Sequence, residues 1–146
     1  MSDGVLRAGL ITEVFPEPSD ESRLIGLLSR AREEGADLAV LPELPFNGWA
    51  PGTKQPRPED AEAPGGPRQT RMMMAAREVG IAVLGGAIVI DPDTGVRHNT
   101  AVLVDDHGVE LGRYRKIHLP EEEGYWETSH YEPGTEGPRE IGRAHV

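Results

Sequence analysis

At 146 residues, with 37% apolar residues and 18 glycines, the chain has the size and composition of one globular domain. It is too short for two well-cored domains and too apolar to be disordered throughout. Fifteen basic against 25 acidic residues leave a formal charge of −10, which repels nucleic acid and anionic lipid and argues against either as a partner. Cysteine is absent, so these residues hold no disulfide, no thiolate metal site and no thiol nucleophile. The start lacks a basic region followed by an apolar run, and no stretch approaches the roughly 18 apolar residues of a membrane span. A soluble cytoplasmic protein with no membrane partner is expected.

In chain order, Leu6, Ala8 and Leu10 alternate before Ile11 and Val14, predicting a strand over about 5–15. From Ser19, Asp20 or Ser22, each an acceptable N-cap, Leu24, Ile25, Leu27, Leu28 and Ala31 recur at helical spacing until Gly35. Residues 37–41 (DLAVL) then read as a short buried strand. Strand, helix and strand in this order point to an α/β unit. Residues 42–67 are rich in proline and glycine and predict a long irregular connection. Pro67 suits a helix N1 position, with Met72, Met73, Ala75, Ala76 and Val79 as a buried stripe and Gly80 as the stop. Residues 81–90, 96–104 and 109–115, separated by Asp- and Gly-containing turns, predict an antiparallel meander. After Lys116 no periodicity persists, and Glu121 to Glu123 read as a solvated loop face.

Glu43, in LPELPFNGW, directly follows a predicted buried strand. Sites are commonly built at that end of a strand, and walls of Leu44, Phe46 and Trp49 would favour a general base there; taken alone, Glu43 is also readable as a solvated loop glutamate. Lys116 ends the third meander strand, where an ammonium can hold a developing oxyanion; taken singly, it reads as a surface cation. The five histidines show no HxH, HxxxH or HExxH spacing, so no metal site is expected. Gly85-Gly86 fits neither a dinucleotide nor a phosphate loop and predicts a bulge or close backbone approach. No serine sits in a GxSxG context.

Three segments taken in order carry more than any one of them. LAVLPELPFNGW around Glu43, NTAVLVDDHGVELGRYRKIHLP ending near Lys116, and GYWETSHYEPGTEGP around Glu127 together resemble the nitrilase, or carbon-nitrogen hydrolase, superfamily. The resemblance implies the N-terminal half of an α-β-β-α sandwich of class α/β, with mixed sheets and an antiparallel meander. It implies hydrolysis of a non-peptide C–N bond in a small amide, nitrile or carbamoyl compound, without a cofactor, by an enzyme that forms homo-oligomers. Glu43 would be the general base, Lys116 the oxyanion holder and Glu127 the residue that orients the site. Trp49, His118 and Trp126 would be pocket walls, and Tyr131 and Pro133-Gly134 stand in the family's register.

The family's nucleophile is a cysteine beyond the Pro-Gly pair, and this sequence contributes none. Residues 1–139 are therefore expected to be a partial hydrolase domain, inactive by themselves. A catalytically silent binding or interaction protein on the same scaffold is the alternative. Residues 140–146 (EIGRAHV) reverse-translate into a familiar sequencing-adapter sequence and are expected to be a non-native tail.

Overall fold

The structure, a computed structural model, describes residues 4–138; the expected non-native tail lies outside the described residues. One mixed sheet carries the chain. Strands β1 (Ala8–Leu10), β2 (Leu38–Val40) and β4 (Ala82–Ile90) run parallel, and β5 (Arg97–Val104) and β6 (Glu110–Arg115) continue from β4 as an antiparallel meander. Its order is β1-β2-β4-β5-β6, with the two-residue β3 (Ala61–Glu62) added to β4.

Helices α1 (Glu21–Glu33) and α2 (Pro67–Val79) cover one face of this sheet. Leu24, Leu28 and Ala31 of α1 fall on a single stripe and pack with Met72, Ala75 and Ala76 of α2. These side chains meet Ala39, Val83, Val102 and Val104, the inward-pointing residues of three neighbouring strands. Pro67 opens α2 at its first turn and Gly80 closes it at φ 79°, a left-handed conformation that glycine adopts without steric cost. On the opposite face the same alternation presents Leu10, Leu38, Val40, Ala82, Leu84, Ala101, Leu103 and Tyr114. All of these are at most partly buried, and Leu10 is 73% exposed. An apolar sheet face of this extent is a packing surface, the place where a sandwich seats its second sheet.

Differences from the predicted elements have local causes. The first strand spans Ala8–Leu10 rather than 5–15, because its partner β2 offers three pairing residues and the chain then leaves the sheet edge to bury Phe15. Arg71 holds that departure: its guanidinium donates to the carbonyls of Phe15 (3.0 Å) and Glu17 (3.3 Å) and to Glu21 Oε2 (3.0 Å). The connection over 42–67 contains two 3-10 turns, Ala50–Gly52 and Pro58–Asp60, as well as β3. Beyond Lys116 a small hairpin forms from β7 (Glu121–Glu122) and β8 (Tyr125–Trp126), turning at Gly124 with φ 82°.

Glu62 fixes the long connection to α2. Its buried carboxylate accepts the backbone N–H groups of Arg68 and Gln69 (both 3.1 Å), which belong to the first turn of a helix whose N-cap is a glycine. Arg68 adds an ion pair to Glu62 (3.2 Å) and also donates to the Phe46 and Glu59 carbonyls, so one guanidinium ties three points of the loop together. Glu62→Ala should lower stability by about 2–3 kcal/mol, since it orphans two helix donors and removes the Arg68 ion pair; a fall in the urea midpoint with an unchanged slope is the expected reading.

Candidate active site

β2 and β3 share one edge of β4 end to end: β2 pairs with Ala82–Leu84 and β3 with Ile88 and Val89. Between them the chain leaves the sheet through Pro42, Glu43 and Leu44. Leu44 has φ 48°, the one described non-glycine residue in the left-handed region, and it is buried. A leucine held there costs about 1–3 kcal/mol, a strain the surrounding packing must carry. This turn sets Glu43 on the rim of a cleft of about 250 Å³ whose other walls include Leu84, Gly85, Gly86, Ala101, Tyr114 and Lys116. The cleft opens on the uncovered sheet face.

Both cleft glycines are close-approach residues. A Cβ on Gly85 would lie 2.5 Å from Met72 Sδ, and one on Gly86 would lie 2.4 Å from the Thr100 carbonyl oxygen. The sheet passes here without a bulge.

Lys116 follows β6 and extends its pairing, donating its backbone N–H to the Asn99 carbonyl (2.9 Å) and accepting from Gly134 N–H (2.9 Å). Gly134 comes so near that a Cβ would meet the Arg115 carbonyl oxygen at 2.5 Å, which accounts for the glycine of the Pro-Gly pair. Glu127 begins a 3-10 turn whose carbonyl accepts from the backbone of His130 and Tyr131, and its side chain is 1% exposed. The three predicted catalytic residues thus converge from three separate segments. Lys116 Nζ lies 2.8 Å from Glu43 Oε1 and 2.8 Å from Glu127 Oε1.

Burial pulls the Lys116 ammonium down, but hydrogen bonds and charges from Glu127 and Glu43 outweigh it, so its pKa stands above the ordinary lysine value. Lys116 is therefore a cation between two carboxylates.

Two further residues complete the cluster. Asn99 Nδ2 donates to Glu43 Oε1 (2.8 Å) and to the Tyr131 hydroxyl (3.3 Å), and that hydroxyl donates to Glu127 Oε1. Burial and then the bond to Glu127 hold the Tyr131 phenol well above its ordinary range. Asn99 stands between His98 and Thr100 in the polar first half of β5, and all three are buried.

The predicted pocket walls stand elsewhere among the described residues. Trp49 donates its indole N–H to the Gly124 carbonyl (2.9 Å) and meets Tyr125 edge to face, so it clasps the β7–β8 hairpin. Trp126 lies under the Lys54 ammonium at 4.1 Å from its ring centroid. His118 is exposed. None of the three lines the cleft of Glu43 and Lys116. No group of three or more His, Asp or Glu side chains among the described residues is placed to share a metal ion. No described helix is long and apolar enough to cross a membrane.

Comparison with known proteins bears on the family and the fold. The family model described as carbon-nitrogen hydrolase matches residues 19–143. A nitrilase of Pyrococcus abyssi is 35% identical over 128 residues, covering 87% of this chain and 46% of the relative. An omega-amidase of Xenopus tropicalis is 37% identical over 107 residues, covering 73% of this chain and 37% of the relative. Among solved structures, a mutant of the amidase from Nesterenkonia sp. AN1 in complex with butyramide superposes with a TM-score of 0.71 at 28% identity, covering 92% of this chain and 50% of that one. The chain spans less than half the length of these two curated relatives. With its mixed sheet, its helical layer on one face and its apolar face on the other, the chain belongs to the carbon-nitrogen hydrolase family and forms the N-terminal half of the nitrilase fold.

Proposed function

We propose that this chain supplies the proton-transfer and oxyanion-binding half of a carbon–nitrogen hydrolase acting on a small amide, nitrile or carbamoyl compound, most closely an amide. The observation that carries the reading is Lys116 Nζ, 2.8 Å from each of two carboxylates at the edge of a cleft. Glu43, 43% exposed at its side chain, is the carboxylate open to a reactant, and Glu127 is enclosed. The division of roles follows from that difference.

In an amide, a cysteine thiol brought to the cleft by polypeptide outside this sequence would give its proton to Glu43 while its sulfur bonds to the carbonyl carbon. The C=O electron pair moves onto oxygen, where the Lys116 ammonium stabilises the charge. Collapse of the intermediate expels the amine, which takes the proton back from Glu43 and leaves a thioester. Water, deprotonated by Glu43, then attacks the thioester, releasing the acid and restoring the thiol. Glu127 fixes the ammonium between the two events. Its burial and its bond from Tyr131 suit a group that stays an acceptor throughout.

The absence of cysteine from the 146 residues keeps a second reading open, a silent binding protein on this scaffold. Sequencing past Arg139 in genomic DNA and expressing the continuous chain separates the two. Ammonia release from small aliphatic amides is expected from a longer chain bearing a downstream cysteine, and none from the 146-residue chain. An uninterrupted stop codon after Val146 in the genome, or a longer chain that binds amides without turning them over, would favour the silent protein.

A further inference from the structure

The hydrogen atoms of the cluster can be counted, and the count singles out one atom. Asn99 has two side-chain N–H hydrogens; one goes to Glu43 Oε1 at 2.8 Å and the other to the Tyr131 hydroxyl at 3.3 Å. Because the Tyr131 oxygen receives that N–H, its single hydrogen is left for Glu127 Oε1. Lys116 donates to Glu43 Oε1 (2.8 Å) and to both Glu127 oxygens (2.8 and 3.1 Å). The ring Glu43–Asn99–Tyr131–Glu127–Lys116 therefore closes with every donor assigned a direction. Glu43 Oε1 already faces two donors, whereas Oε2 takes no hydrogen bond from the described residues.

We propose that Asn99 and Tyr131 are positioning residues of the site: they engage Oε1 of Glu43 and hold Glu127 as an acceptor, so that Oε2 is the atom of Glu43 that receives the proton. This rests on the reading of Glu43 as the base. A proton on Oε1 would compete for a lone pair with the amide N–H or the ammonium that already donate there, forfeiting a charge-assisted hydrogen bond, whereas Oε2 gives up none among the described residues, so protonation falls on Oε2. Tyr131 acts at one remove. A phenol whose only hydrogen is directed at Glu127 keeps that carboxylate paired, and the paired carboxylate keeps Lys116 in register with Glu43. Both residues are buried, and the Tyr131 ring packs with Leu44 and Ile88, so the element that carries Glu43 and the one that carries Glu127 are joined by side chains as well as by charge. Asn99 is tied in twice, since its backbone carbonyl accepts from Lys116 N–H.

The first test is nuclear magnetic resonance on the uniformly ¹⁵N-labelled 146-residue chain. Both Asn99 side-chain N–H resonances are expected to exchange slowly with solvent. Tyr131→Phe, which keeps the packed ring, should release one of the pair, speeding its exchange about tenfold or more while the other holds. Glu43→Ala should release the other. Unmoved Asn99 resonances in Tyr131→Phe would overturn the proposal.

A second test uses a longer chain that hydrolyses amides. There Asn99→Ser should lower kcat about tenfold, leave KM within about twofold, and displace the acidic limb of the kcat–pH profile, because Oε1 then competes for the proton. An Asn99→Ser enzyme with an unchanged kcat and profile would also overturn it. If instead the resonances behave as expected and Glu43→Gln retains full activity, the assignment of Glu43 as base is what fails.

Discussion

Glu43→Gln, in a chain long enough to bring a cysteine to the cleft, is expected to lower amide hydrolysis by about 10²–10⁴-fold, the usual contribution of a positioned general base. Glutamine preserves the shape of the side chain, and its carbonyl oxygen can still accept from Lys116 and Asn99, which now converge on Glu43 Oε1 at 2.8 Å each. What it cannot do is take the thiol proton or, later, a proton from water. Because the cleft walls are unchanged, KM should move far less than kcat, the pattern of an interaction made mainly in the transition state. Steady-state ammonia release over a range of amide concentrations checks the split. A variant with wild-type kcat would remove Glu43 from the chemistry altogether.

Lys116→Met should cost the 146-residue chain about 3 kcal/mol of stability. The Lys116 side chain is 30% exposed, but its partner Glu127 is 1% exposed, and deleting the cation leaves that buried carboxylate with Tyr131 as its remaining side-chain donor. Breaking a buried pair from one side is more damaging than removing both charges. The double variant Lys116→Met/Glu127→Gln is accordingly expected to recover much of the loss. Urea denaturation of the wild type, Lys116→Met, Glu127→Gln and the double variant, followed by the fluorescence of Trp49 and Trp126, gives the four free energies of the cycle.

Alkaline pH tests the same pair without mutation. The folded-state pKa of Lys116 is raised above the ordinary lysine value of 10.5, so the native chain holds this proton more tightly than the unfolded chain. Its contribution is fully present below about pH 10 and is lost as pH rises through the elevated value. Tyr131, raised above 10.0, acts in the same direction. Stability should therefore fall above about pH 10 in the wild-type chain, and the fall should be shallower in Lys116→Met, which lacks the lysine contribution.

Much of the scaffold is readable from local pattern because its signals lie close together in the chain. The stripe Leu24, Leu28, Ala31, the start at Pro67 and the stop at Gly80 each reflect contacts or dihedral limits within a few residues, and the helices begin and end near those marks. The meander is likewise legible, since alternating residues and tight turns are local features. β3, β7 and β8 leave no such trace. Two residues cannot show a period, and each exists because a partner strand is presented to it by the rest of the fold.

The candidate site divides along the same line. Order and spacing of three segments in the sequence singled out Glu43, Lys116 and Glu127 and gave them a family. That residues 43, 116 and 127 meet at one ammonium is a tertiary fact, because 73 positions separate Glu43 from Lys116 and only the sheet register brings them together. The same register places Asn99 beside Lys116, and the turn after Glu127 swings Tyr131 back onto it. Residue types are local and were determined by the sequence itself: two carboxylates, a lysine and no thiol. The direction of each hydrogen bond among them depends on which polar atoms burial forces together, and the tertiary structure decided that.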